Sequence, residues 1–183
     1  YALAEATGIR YANDHSMTWV SPYHDGLVIA GQGTVALEIL EQVQPATPGA
    51  VIVPVGGGGL ISGIGAVLAG LDPRPKLIGV QSTASAFMHA LFHNRSQDGV
   101  VETESIADGL AGRVEDGSIT IPLVRKYVDE LILVSEEEIE QSIVYAWEKH
   151  GEIIEGSAAV SLAAVLAGKV TDRPAVSLSL IHI

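Results

Sequence analysis

The sequence contains no cysteine and no long hydrophobic run, and it is poor in charged residues. Without cysteine, a disulfide framework and thiolate metal sites are excluded. No apolar stretch approaches the roughly 20 residues that a membrane-spanning helix requires. Ten basic residues stand against 22 acidic ones, and the net charge of -12 repels nucleic-acid phosphates. These absences predict a cytoplasmic protein with neither a nucleic-acid nor a membrane partner.

Apolar residues and glycine are abundant, at 48 % of the chain and 20 of 183 residues respectively. This composition suits one ordinary folded domain with a real core. Apolar and β-branched runs at residues 50–55, 76–80 and 131–134 predict strands, and helical patterns alternate with them. The alternation predicts an α/β fold with a mainly parallel sheet flanked by helices.

Several helix ends are marked in the sequence. Ser135 and Glu138 form a capping-box pattern, so we expect a helix from there to about residue 150, with Gly151 as its left-handed cap. The helical spacing of Trp147 predicts a core position. Residues 1–7 resemble the last turns of a helix closed by Gly8. Farther along, residues 27–30 form a short apolar run ahead of a helical pattern at residues 35–43.

The sharpest local feature is a run of four glycines at residues 56–59, between a predicted buried strand and a predicted helix. Glycine accepts positive φ angles and carries no side chain that would block a ligand. Backbone amides at a helix N-terminus form a site for an anion, and phosphate is the natural occupant. A flexible turn is the alternative, although turns rarely connect a buried strand to a buried helix.

The residues around the glycines narrow the type of phosphate ligand. A Walker loop ends in Gly-Lys followed by Ser or Thr, whereas Leu60 and Ile61 follow here. A dinucleotide site requires an acidic residue after the next strand, which ends at Gln81 in this sequence. A second glycine pair, Gly31 and Gly33, leads to a strand that also ends without an acid. The sequence therefore predicts neither of these nucleotide sites.

A metal site is not predicted either. His89 and His93 stand four residues apart on a predicted helix, a spacing that can hold zinc. No third ligand follows nearby, so a surface pair is favoured. The three acids at residues 136–138 suit the positive end of a helix dipole and are interpreted as structural.

Three motifs carry a resemblance to a known enzyme family: VIAGQGT at residues 28–34, PVGGGGL at 54–60 and IADG at 106–109. Their order and spacing resemble those of threonine dehydratases and serine racemases, which are fold-type II pyridoxal-phosphate enzymes. The resemblance implies that residues 27–176 form part of the large cofactor domain of the tryptophan-synthase-β-like fold. It implies pyridoxal phosphate as the cofactor, with its phosphate held by the amides of Gly56, Gly57, Gly58, Gly59 and Leu60. By the same resemblance, Gly109 lies near the pyridine ring and Glu155 near the cofactor.

The sequence departs from this family at functional positions. The family's Schiff-base lysine stands in a Ser-x-Lys-x-Arg-Gly segment near the N-terminus, and no lysine here has such surroundings. We therefore predict no catalytic residue within this chain. Gln81 and Phe87 stand where serine racemases carry a metal-binding glutamate and aspartate, and Gly156 stands where a proline is usual. The lysines of this chain are Lys76, Lys126, Lys149 and Lys169.

For the whole protein, the resemblance implies β-elimination on threonine or serine, which gives a 2-oxo acid and ammonia. The small-molecule substrate is then an amino acid, and the expected assembly is a homodimer. Two alternatives stay open: a racemase of the serine racemase type and, for the chain as given, a non-catalytic module that binds a phosphate ligand. Residues 1–26 are expected to belong to a smaller second domain. Residues 177–183 resemble a translated sequencing adapter and are expected to be non-native.

Overall fold

The computed structural model of the chain describes residues 2–181. Within them, the strands are β1 (Ala50–Pro54), β2 (Lys76–Ser82), β3 (Glu130–Val134) and β4 (Ala175–Ser177). They form one parallel sheet in the order β3-β2-β1-β4. The predicted α/β fold with a mainly parallel sheet is therefore confirmed.

Helices cover both faces of this sheet. Because side chains alternate along a strand, Ala50 and Ile52 of β1 face one core, whereas Val51 and Val53 face the other. The first core is closed by α6 (Glu136–His150) and α7 (Gly156–Leu166). The second is closed by α2 (Gly26–Gln42), α3 (Gly59–Leu68), α4 (Phe87–Phe92) and α5 (Thr120–Tyr127). Every residue of β1 is buried, as the uniformly apolar run predicts.

The apolar run at residues 27–30 belongs to α2, which begins at Gly26 and not at the later helical pattern. Asp25 caps this helix by accepting from the amides of Leu27 and Val28. The helix then crosses α3 so closely that a Cβ on Gly63 would lie 2.3 Å from the carbonyl oxygen of Ile29. A Cβ on Gly33 would likewise lie 3.0 Å from the Gly63 carbonyl oxygen, so Gly33 and Gly63 are required for this helix packing, which the sequence pattern did not reveal.

Two further expectations about helices are wrong. Helix α1 (Ala2–Asp14) continues through Gly8, because this glycine makes room for the ring of Trp19 and does not take a positive φ. Trp147 is 59 % exposed, since α6 packs through the stripe formed by Ile139, Ser142 and Ala146. Tyr1, which the expected N-terminal helix included, lies outside the described residues.

Other expectations about helix ends are confirmed. The capping box joins the Ser135 hydroxyl to the Glu138 amide and the Glu138 carboxylate to the Ser135 amide. Gly151 takes the left-handed conformation with φ 70°. In the part of the chain described here, no helix combines the length and apolarity needed to span a membrane.

Candidate functional site

The four glycines lie between β1 and α3, at the carboxyl edge of the parallel sheet. Ligands of open α/β sheets bind at this edge. Gly58 is the N-cap of α3 and has a φ of 86°, which L side chains rarely adopt. The backbone thus turns from a buried strand into a buried helix within four residues, as predicted from the sequence.

Two carbonyl groups of this loop bond to the protein, whereas its amides have no protein partner among the described residues. The Gly57 carbonyl accepts from the Thr120 hydroxyl at 2.7 Å, and the Gly58 carbonyl accepts from the Ser62 amide at 3.1 Å. Among residues 2–181, no protein acceptor bonds to the N–H groups of residues 56–60. A series of free donors at the N-terminus of α3 is suited to an anion.

A cavity of about 230 Å³ opens at these amides. All five predicted phosphate-binding residues line it, and so does Gly109, which comes from a segment about 50 residues farther along the chain. The other lining residues are Pro22, Tyr23, Pro54, Ile61, Leu110, Ala111, Gly112, Arg113 and Leu180. The structure therefore brings together six of the seven site residues predicted from the sequence.

The glycines are needed for reasons beyond an open approach for a ligand. A Cβ on Gly57 would lie 2.4 Å from Cγ of Tyr23, and a Cβ on Gly58 would lie 2.8 Å from Cε of Met88. A Cβ on Gly56 would lie 3.3 Å from Cα of Leu110. Added side chains would therefore meet packed protein around the loop.

Tyr23 closes one side of the cavity and was missed by sequence reasoning. Its ring packs on Gly57, and its hydroxyl accepts from the Glu115 amide at 3.0 Å. Burial raises the pKa of the Tyr23 phenol, so its hydroxyl stays protonated at neutral pH. Because Tyr23, Gly57 and Glu115 lie far apart in the sequence, no local pattern could have identified the contacts between them.

The opposite wall is formed by the segment that carries Gly109, and Glu136 anchors it. The Glu136 carboxylate accepts from the Ser105 hydroxyl at 2.8 Å, from the Ile106 amide at 2.7 Å and from the Ser82 hydroxyl. The sequence had suggested only a dipole role for this acid, so this contribution is an addition. Gly156 supports the same segment, since a Cβ there would lie 1.9 Å from the Ile106 carbonyl oxygen.

Glu155, the seventh predicted site residue, does not line the cavity. It is the N-cap of α7, and its amide donates to the Ile181 carbonyl at 3.2 Å. Two residues later, the buried Ser157 hydroxyl has no partner among the described residues. It lies 2.8 Å from where a Cβ of Gly109 would stand. Ser157 therefore packs behind Gly109 and does not itself line the cavity.

Among the described residues, which include all four lysines, no lysine lines the cavity. Lys76 lies at the start of β2, at the opposite edge of the sheet, where it pairs with Glu130 and Asp172. The hydrogen bond to Glu130 raises the pKa of Lys76 despite partial desolvation. Arg113 is the cation that does line the cavity, and it pairs with Asp98 at 2.9 Å.

The positions that correspond to the serine racemase metal ligands are used differently here. Gln81 is buried, and its side-chain oxygen accepts from the His89 amide at 2.8 Å, while Phe87 is buried in the core. The His89 and His93 rings meet edge to face at 4.6 Å. Burial, followed by the charges of His93 and Arg95, lowers the pKa of His89. Within residues 2–181, no group of three metal-binding side chains is present.

Known proteins of similar sequence or fold include threonine ammonia-lyases and serine racemases. The L-threonine ammonia-lyase of Thermotoga maritima is 40 % identical over 163 residues, which is 89 % of this chain and 40 % of that protein. The Dictyostelium discoideum serine racemase structure is 34 % identical with a TM-score of 0.77, over 96 % of this chain and 57 % of that one. The processed threonine deaminase isoform 2 of Solanum lycopersicum is 28 % identical with a TM-score of 0.80, over 93 % and 50 %.

This chain thus spans between about two fifths and three fifths of the length of these relatives. The amides of residues 56–60, which have no protein partner among the described residues, and the N-terminus of α3 fit a phosphorylated cofactor. The sequence profile of the pyridoxal-phosphate dependent enzymes matches residues 1–179. The chain therefore belongs to the family of pyridoxal-phosphate dependent enzymes.

Proposed function

We propose that the whole protein is an ammonia-lyase that converts threonine or serine into a 2-oxo acid and ammonia. In this proposal, residues of the present chain bind the phosphate group of the cofactor. The observation that carries the proposal is the series of amides at residues 56–60, which have no protein partner among the described residues and belong to residues that line one cavity at the N-terminus of α3. The threonine ammonia-lyase of Thermotoga maritima, at 40 % identity, supports the choice of reaction.

The residues of the chain would act by binding and orientation. The amides of residues 56–60 donate to the phosphate oxygens, and the positive end of α3 favours their negative charge. Gly109, which lines the cavity, keeps the role near the ring that the resemblance implies, whereas Glu155 does not line the cavity. Tyr23 packs against Gly57 and Leu110 against Gly56, which holds the loop in place. When bound, pyridoxal phosphate supplies an electron sink for the charge that develops at the substrate Cα.

By itself, the chain is expected to hold the cofactor without turning over substrate. The reason is that no lysine lines the cavity, and Lys76 and Lys169 are held by carboxylates elsewhere. Borohydride treatment of the chain mixed with pyridoxal phosphate, followed by peptide mass spectrometry, tests this. A stoichiometric adduct on one lysine would contradict the expectation; scattered, weak labelling would support it.

Racemisation is the second candidate for the whole protein. The Dictyostelium discoideum serine racemase structure, with 34 % identity and a TM-score of 0.77, favours it. A homodimer is proposed as the assembly in either case, and light scattering of the whole protein tests it.

One experiment decides between the two reactions. The whole protein is incubated with L-threonine or L-serine, 2-oxo acid is followed by coupled reduction with a 2-hydroxy-acid dehydrogenase, and D-serine is followed by chiral chromatography. We expect 2-oxo acid that depends on added pyridoxal phosphate. D-serine without 2-oxo acid would replace the lyase by the racemase, and the absence of both products would overturn the proposal.

A further inference from the structure

We infer that Thr120 is a positioning residue for the phosphate site: its hydroxyl, held by Ser118, orients the Gly57–Gly58 peptide so that the Gly58 amide faces the ligand. This inference rests on the proposed phosphate site and deepens it. Thr120 is the first residue of α5, and neither it nor Ser118 lines the cavity.

The direction of each hydrogen bond follows from the chemistry of its partners. The Gly57 carbonyl can only accept, so the Thr120 hydroxyl donates to it at 2.7 Å. A hydroxyl has one proton, and the 2.8 Å contact between the two side chains therefore has Ser118 as the donor. The Ser118 oxygen in turn accepts from the Thr120 amide at 3.3 Å. The result is a directed chain from Ser118 through Thr120 to the Gly57 carbonyl.

The geometry of the peptide unit carries this orientation across the loop. The Gly57–Gly58 peptide is trans, so its carbonyl and its N–H lie in one plane and point in opposite directions. Because the carbonyl is fixed toward Thr120, the Gly58 N–H is directed away from Thr120. The cavity lies on the side of the loop away from Thr120, since the glycines line it and neither Thr120 nor Ser118 does.

The surroundings leave this orientation little freedom. Thr120 is fully buried and Ser118 is 2 % exposed, so water does not compete for their hydrogen bonds. The Cα of Gly58 also packs against Thr120, because a Cβ at Gly58 would lie 3.2 Å from Cβ of Thr120. Hydrogen bonds in such a dry chain polarise one another, which makes the Gly58 N–H a stronger donor toward an anion.

The test compares Thr120→Val, which keeps the shape but removes the hydroxyl, with Thr120→Ser, which keeps the hydroxyl. The 183-residue chain is titrated with inorganic phosphate and with pyridoxal phosphate, while its amides are followed by ¹H–¹⁵N NMR. We expect phosphate to shift the Gly58 amide in the parent and in Thr120→Ser. In Thr120→Val, this shift is lost and the affinity for both ligands falls at least about fivefold, the scale of one lost hydrogen bond.

Ser118→Ala supplies a second variant that removes the donor to Thr120 but leaves Thr120 in place. A weakening of about two- to threefold is expected, and this variant decides the matter if Thr120→Val does not fold. A Gly58 shift that is equal to the parent's in Thr120→Val would overturn the inference, and where the valine variant is unfolded, affinities of Ser118→Ala equal to the parent's would do so. Loss of the shift in Thr120→Ser would do so too. If phosphate moves none of the amides of residues 56–60 in the parent, the proposed phosphate site itself is wrong.

Discussion

Gly58 is the residue of the glycine loop at which one added methyl group has consequences that can be calculated. Its φ of 86° is unfavourable for alanine by about 1–2 kcal/mol. The new Cβ would lie 2.8 Å from Cε of Met88 and 3.0 Å from Cγ2 of Val124, and both side chains are fully buried. Overpacking of this kind costs about 1–3 kcal/mol. We therefore expect Gly58→Ala to lower the free energy of unfolding by about 2–5 kcal/mol.

Urea unfolding, followed by far-UV circular dichroism and analysed by linear extrapolation, measures this effect. Gly31→Ala is the matched control, because Gly31 lies inside α2 with nothing within 4 Å of its potential Cβ. Alanine is there expected to stabilise the chain by up to about 1 kcal/mol through helix propensity. If Gly58→Ala were as stable as the parent while Gly31→Ala behaved as expected, the loop would not be under the constraint described.

The same position tests the cofactor site. Gly58→Val disturbs the free amides in addition to the packing, and each charge-assisted hydrogen bond that is lost costs about 1.5–3 kcal/mol. The affinity for pyridoxal phosphate should then fall at least about tenfold, since 1.4 kcal/mol corresponds to a factor of ten. Fluorescence titration of both proteins measures the change. Equal affinities would mean that the phosphate does not bind in this loop.

Three further outcomes are expected. Gly65→Ala should lower the thermal unfolding temperature although alanine has the better helix propensity, because the new Cβ would lie 2.5 Å from Cβ of Tyr127 on α5. A rise in the unfolding temperature would contradict this packing. Glu136→Gln should weaken binding of pyridoxal phosphate severalfold while Glu137→Gln, one residue away and exposed, should not; equal affinities would remove the anchoring role. Burial acts to raise the pKa of Glu138, but the hydrogen bonds from Lys169 and from the Ser135 amide lower it overall. Glu138→Gln should therefore lower the free energy of unfolding by about 0.5–2 kcal/mol at neutral pH. Urea unfolding should show that this difference becomes smaller as the pH falls through the lowered pKa, and a difference that does not change with pH would refute the reasoning.

The sequence was sufficient wherever one segment determines its own structure. The strand at residues 50–54 follows from its uniformly apolar side chains, and the capping box follows from the chemistry of Ser135 and Glu138. The start of α2 was not predicted, because Leu27, at the head of the apolar run, is 85 % exposed and points away from the core. A local pattern of hydrophobic residues cannot report which of them the tertiary structure buries.

The candidate site divides in the same way. The glycine loop could be predicted, since a strand, four glycines and a helix are contiguous in the sequence. Tyr23, Thr120 and Glu136 could not, because each acts on the loop or its opposite wall from a distant segment. Helix propensity alone favours alanine over glycine at Gly65, whereas the neighbouring α5 occupies that space.

The hydrogen bonds that the carbonyl groups of the loop make to the protein affect how the loop binds a ligand. The Gly57 and Gly58 carbonyls bond to Thr120 and Ser62, and these bonds do not involve the amides of the residues that line the cavity. The loop is therefore preorganised, so binding an anion requires little ordering of the backbone and loses correspondingly little affinity to conformational entropy. Crystals grown with and without pyridoxal phosphate should superpose over residues 55–60 with no change of backbone conformation.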